Sequence, residues 1–191
     1  MKRWLVVSLL VLLGLVVGAG LVIASVAVNR YTSSDAFCAS CHTMAMVAED
    51  PHFLNSPHHA NAEGVQASCG DCHIPTTNWF VETYAHASSG IRDVVAEFTH
   101  DYASNPAAWE ARRVVLAQEV REEMRRQDSV TCLQCHSASA ITPTSEQGRA
   151  AHALLREGRL TCIDCHFNLV HAPVAPTMSF IRGSGLGEKA K

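Results

Sequence analysis

The sequence predicts a mainly α-helical protein, with one membrane-spanning helix at its amino terminus and a small domain whose interior is not filled by side chains. Three observations predict this. Residues Leu5 to Val28 form 24 positions without a charge. All eight cysteines fall into four copies of one short pattern. The rest of the 191-residue chain is mostly polar, and the whole sequence holds only six Phe, three Trp and three Tyr. Close-packed interiors need large side chains or something in their place.

The apolar stretch comes first. As a helix, 24 residues rise about 36 Å, enough for a hydrocarbon core of about 30 Å, and only Ser8 and Ser25 interrupt it. Lys2 and Arg3 precede it, so the positive-inside rule puts the amino terminus in the cytoplasm and everything after Val28 on the opposite, periplasmic side of a bacterial inner membrane. Gly14, Gly18, Ala19 and Gly20 permit close helix packing. The competing reading is a cleaved signal peptide with Ser25 and Ala27 at its site. A signal core spans about 7–15 apolar residues, so a retained single-pass anchor is expected. The expected division is 1–30 for the cytoplasmic stub and anchor and 31–175 for the periplasmic domain, with 176–191 a flexible tail. A formal charge of −3 and a pI near 6.4 give no basic footprint for nucleic acid.

The cysteines carry the chemistry. They read Cys38-Ala-Ser-Cys41-His42, Cys69-Gly-Asp-Cys72-His73, Cys132-Leu-Gln-Cys135-His136 and Cys162-Ile-Asp-Cys165-His166. C-x-x-C-H is the attachment signature of c-type haem: two thiols add across two vinyl groups, and the adjoining His lies beneath the iron. Structural zinc would use the thiols but needs no His after every pair. With 11 His in 191 residues, four such coincidences have a chance probability of roughly 10⁻⁵. Disulfides, expected in an exported domain, need no His either. Four covalent haems c are expected, on Cys38, Cys41, Cys69, Cys72, Cys132, Cys135, Cys162 and Cys165.

Four irons take up to eight axial ligands, and His42, His73, His136 and His166 offer four. Among the other histidines, His58 lies 11 residues before Cys69 and His152 lies 10 before Cys162. The first two motifs start 31 residues apart and the last two 30 apart, which reads as a duplicated two-haem unit. The haem pairs occupy 31–77 and 128–172, joined by helices over about 78–127. His171 is the third distal candidate and reaches a neighbouring iron, because His166 occupies its own. His59 is the substitute for His58, whereas His52 and His100 read as solvated. At the first motif, Met44 stands two residues beyond His42 and offers a thioether, which raises haem potential relative to two histidines. The matching position of the second half, Ala138, has no ligating atom.

Residues 78–100 follow helical spacing, with Phe80, Tyr84, Ala87, Ile91, Val94 and Phe98 on one stripe. Beside it runs a polar stripe of Glu82, His86, Asp93 and Glu97, with Gly90 between His86 and Asp93 in angle. Asn78 can cap this helix. A second helix starts at the Asn105 cap and Pro106 and runs to about Gln127, with Trp109, Leu116, Val120 and Met124 on one side and charges on the other.

Together these residues resemble the membrane-anchored tetrahaem quinol dehydrogenases of the NapC/NirT/NrfH family. The likeness rests on the anchor, the four motifs, the opening C-x-x-C-H-x-M, Ser56-Pro57-His58, the run Gly64 to Pro75 and the closing Thr161 to His166. It implies a helical, haem-packed domain that oxidises menaquinol or ubiquinol beside the first haem. Electrons would then pass to a periplasmic nitrate- or nitrite-type reductase, or another cytochrome partner, in anaerobic respiration. It further implies that Met44 binds the first iron, with His42 the alternative. Asp93 of Gly90-Ile91-Arg92-Asp93 would lie at the quinol site. Some relatives carry Lys seven residues before that Asp, where this chain has His86. A His titrating near neutral pH can serve as proton acceptor, and quinol oxidation needs one. Two other readings compete: a membrane-tethered relay between soluble cytochromes, and a multihaem reductase of a small nitrogen oxyanion. Assembly as a homo- or hetero-oligomer is compatible with each reading.

Overall fold

The computed structural model describes residues 2–184, and those residues are helical with no β-strand. Ten α-helices follow in order: α1 (Lys2–Thr32), α2 (Asp35–Cys38), α3 (His42–Ala48), α4 (Pro51–Leu54), α5 (Cys69–His73), α6 (Trp79–Thr99), α7 (Pro106–Arg126), α8 (Val130–Leu133), α9 (Glu146–Arg156) and α10 (Met178–Gly183). A 3₁₀ turn at Cys162–Asp164 holds the fourth motif.

The anchor helix is longer than its apolar stretch. It is long and apolar enough to cross a membrane, and Asn29 is its only buried residue. The two central helices start where local chemistry places them. Asn78 Oδ1 accepts from Val81 N, and Asn105 Oδ1 accepts from Ala108 N with Pro106 in the first turn. Both ends lie within a residue of expectation.

The helices meet as a chain of motifs. α2 packs on α5, α5 on α8, and α7 on the 3₁₀ turn of the fourth motif. α6 runs beside α1 in the same direction: Trp79 Nε1 donates to Ser25 Oγ at 3.2 Å, and Asn29 Nδ2 donates to Thr83 Oγ1 at 3.1 Å. The hydrophobic core is small. Phe53, Ile163, Val174 and Phe180 are the buried apolar residues among those described. The apolar stripe of α6 is exposed, with Phe80 at 76%, Tyr84 at 74% and Phe98 at 88%.

α7 holds the carboxyl-terminal segment by its polar side. Arg113 Nη1 donates to Ala172 O at 2.7 Å, Gln118 Nε2 to Ala175 O at 3.1 Å, and Arg125 pairs with Asp164 at 2.6 Å. The segment 176–191, expected as a tail, begins with a helix. Met178–Gly183 form α10, Phe180 is buried at 1% exposure, and the Arg125 guanidinium lies 3.8 Å over its ring. Such a contact is worth about 1 kcal/mol beyond the buried area. Residues 185–191 of that tail lie outside the described residues.

Gly70 packs against the turn that follows α1. A Cβ there would lie 2.7 Å from Ser33 O. Backbone on both sides leaves little room to yield, so Gly70→Ala is expected to cost about 1–3 kcal/mol. The measurement is the thermal midpoint of the holoprotein, and an unchanged midpoint would show that this seam is loose.

Candidate functional site

Each pair of motifs is joined through its cysteines. The Cys38 and Cys69 thiols meet: the hydrogen bond from Cys69 lowers Cys38, against desolvation and the negative charges of Asp35 and Asp93, and Cys69 itself is raised. Cys132 and Cys162 repeat the arrangement, with Cys132 lowered by its partner and Cys162 raised. Local capping repeats too. Ser68 and Asp71 form a reciprocal capping box around the second motif, and Thr161 and Asp164 form one around the fourth. In each, the carboxylate within C-x-D-C holds the backbone N–H of the residue before the first Cys. The cross-links differ in chemistry: Asp35 Oδ1 accepts from Cys69 N at 2.6 Å, whereas Ser129 Oγ accepts from Ile163 N at 3.1 Å.

The histidines fall into three facing pairs. His73 and His171 have ring centroids 6.1 Å apart, His58 and His136 6.1 Å, and His152 and His166 6.2 Å. Every pair joins one attachment His to one distal candidate. Two imidazoles on opposite sides of one iron, with metal–nitrogen bonds of about 2 Å and ring centres about 1 Å further on, stand about 6 Å apart. His152 Nδ1 lies 2.8 Å from Gly148 O, so it donates there and leaves Nε2 without a proton. His59 turns away and packs at a tilt against Phe53, with ring centroids 4.4 Å apart. His52 pairs with Asp50 at 3.0 Å on the surface, and His100 stands against Tyr102 at 5.2 Å.

At the first motif, α3 carries both candidates. Met44 is half-buried and His42 is exposed. The start of α3 is capped from a distance: Glu97 Oε1 accepts from His42 N at 2.9 Å and from Thr43 N at 3.4 Å. α6 thus reaches the first motif at both its flanks, through Glu97 at α3 and through the charge of Asp93 on Cys38. Asp93 is exposed and lies 3.5 Å from Arg92 Nε. His86 faces the end of α1, with Nε2 3.0 Å from Ser33 Oγ and Nδ1 3.3 Å from Thr32 Oγ1. Burial lowers its pKa, against the pull of Glu82. His86 and Asp93 therefore stay on the side of α6 that follows α1 and the first motif, about two turns apart.

The donor set suits haem better than zinc. Among the described residues no three His, Cys, Asp or Glu side chains converge on one point, and none of the eight cysteines is in a disulfide. The facing imidazoles stand at the separation one iron requires. His58 Nδ1 and Arg121 Nη1 are buried without a partner, and an open cavity beside the third motif is lined by Cys135, His136, Leu155 and Arg156.

The profile of the NapC/NirT cytochrome c family, N-terminal region, matches residues 1–176. The chain belongs to that family. It is a multihaem c-type cytochrome with an amino-terminal membrane helix. It is 37% identical over 147 residues to a probable tetraheme cytochrome c-type protein of Nitrosomonas europaea, covering 76% of this chain and 60% of that one. The cytochrome c-type protein TorY of Escherichia coli O157:H7 is 34% identical over 168 residues, 86% of this chain and 44% of TorY. The denitrification system component NirT of Stutzerimonas stutzeri is 35% identical over 144 residues, 73% and 69%. The chain thus spans only about half the length of several curated relatives it matches. No solved structure matches it.

Proposed function

We propose that this protein oxidises membrane quinol and passes the electrons through four haems c to a periplasmic terminal reductase of the nitrate or nitrite type. The facing histidine pairs support this reading, because three bis-histidine irons would need six imidazoles in such pairs. His73 and His171 would hold the second, His136 and His58 the third, and His166 and His152 the fourth. Met44 would hold the first iron, with His42 the alternative. When bound, each haem supplies a one-electron redox centre, and the polypeptide positions and tunes it.

The protein's own residues supply the proton chemistry. Quinol gives up two electrons and two protons to become quinone, so it needs a base beside the electron acceptor. Asp93 acts electrostatically on Cys38 and is open to solvent, so it can take a proton and release it outward. His86, whose pKa burial shifts downward, can take the other. α6 keeps both near the emergence of α1, the side from which menaquinol or ubiquinol arrives. The series of contacting motifs then leads from the first toward the fourth.

The test uses the full-length holoprotein. Asp93→Asn is expected to slow reduction by a soluble quinol analogue by about 10²-fold, with the dithionite-reduced haem spectrum unchanged. A wild-type rate would remove Asp93 from the reaction. Failure of any quinol to reduce the wild-type protein would favour the relay between soluble cytochromes.

A further inference from the structure

The register between α1 and α6 sets how deep the domain sits. Trp79 is tied to Ser25, Thr83 to Asn29, and His86 to Thr32 and Ser33. Each step of α6 therefore matches a step of α1 in the same direction. The apolar stretch of α1 ends at Val28. Ser25 lies three residues inside that end, about 4–5 Å along the helix axis. The first turn of α6 consequently begins below the level at which α1 leaves the apolar slab.

The side chains at that level are those of a membrane boundary. Phe80 and Tyr84 are exposed at 76% and 74% and point away from the α1 seam, while Trp79 spends its N–H on Ser25. Trp and Tyr concentrate where headgroups meet acyl chains. From Thr76 to Ser89 the only carboxylate is Glu82, there is no Lys or Arg, and His86 is turned into the seam. Glu82 lies on the opposite flank of the helix from Phe80. The exposed aromatic patch is also continuous with the lipid-facing surface of α1, which is exposed along its apolar length.

We propose that the first two turns of α6 are a second membrane contact, with Phe80 and Tyr84 seated in the lipid at the headgroup boundary. The inference rests on α1 crossing the membrane, as the proposed function also does. It makes the haem domain a partly embedded body rather than one hung from a tether.

Photocrosslinking tests this in full-length holoprotein in nanodiscs of phosphatidylethanolamine and phosphatidylglycerol. Benzoylphenylalanine replaces Phe80, Tyr84, Leu12 or Glu122 in turn, and haem content confirms folding. Lipid adducts at Phe80 and Tyr84 are expected about tenfold above those at Glu122 on α7 and comparable to those at Leu12. Adducts at Leu12 with none at Phe80 and Tyr84, or adducts there only to a second protein chain, would overturn the proposal and leave the anchor intact. No lipid adduct at Leu12 would overturn the anchor reading itself.

Discussion

Replacing His152 with alanine is expected to turn one haem from low spin to high spin and to leave two bis-histidine haems as they were. His152 faces His166 at 6.2 Å, and its other nitrogen is fixed on Gly148 O. α9 carries no second His and no Met or Cys to take its place. Low-temperature electron paramagnetic resonance counts both spin states, and added imidazole should restore the lost low-spin signal. His59→Ala is the control: that ring packs at a tilt against Phe53 rather than against an attachment histidine, so its loss should leave the spin count alone. A His152→Ala protein with three bis-histidine haems would refute the pairing.

The second large effect is expected at Arg121, on the side of α7 that holds the carboxyl-terminal loop. Its Nη2 donates to Asn168 Oδ1 and Val174 O at 2.8 Å and to Phe167 O at 3.4 Å, and its guanidinium lies 5.0 Å over the Phe167 ring. Those partners bracket the loop that carries His171. Arg121→Met keeps the bulk but removes the charged donor and its contact with the Phe167 ring, while Asn168 and Val174 keep their bonds to each other, so a loss of about 1–3 kcal/mol is expected. The loop would then release His171, and the haem opposite His73 would lose its low-spin signal. Lysine should not rescue it, because one ammonium on a flexible stem cannot reproduce the planar fork. A thermal midpoint and spin count equal to wild type would show that the loop holds itself.

Sequence and structure agree where the chemistry is local. The caps of α6 and α7 were legible because an Asn needs only its own next turn. The eight cysteines were legible because C-x-x-C-H is a covalent requirement with a fixed spacing. His58, His152 and His171 stood out by position, yet their partners did not. Spacing makes His58 and His152 equivalents, one before the second motif and one before the fourth. In the fold His152 faces the motif that follows it, whereas His58 crosses to His136 of the third, and His171 crosses back to His73. The docking of α5 on α8 decides this, and no local pattern encodes it. The same is true of Glu97, which reads as one more charge on a helix face but caps α3 from 55 positions away. The S/T-C-x-D-C-H boxes could have been found, since a hydroxyl three residues before a carboxylate is a capping signal.

The meeting of Cys38 with Cys69, and of Cys132 with Cys162, constrains how such a protein can be made. In an oxidising compartment, a chain that reached this packing with bare thiols would bring together one lowered-pKa sulfur and its neighbour from a different motif. Lowered-pKa thiols are the ones that react first. The cross-link so formed would disable two attachment points at once. Attachment of porphyrin to either motif of a pair removes one of the two thiols, and with it that cross-link.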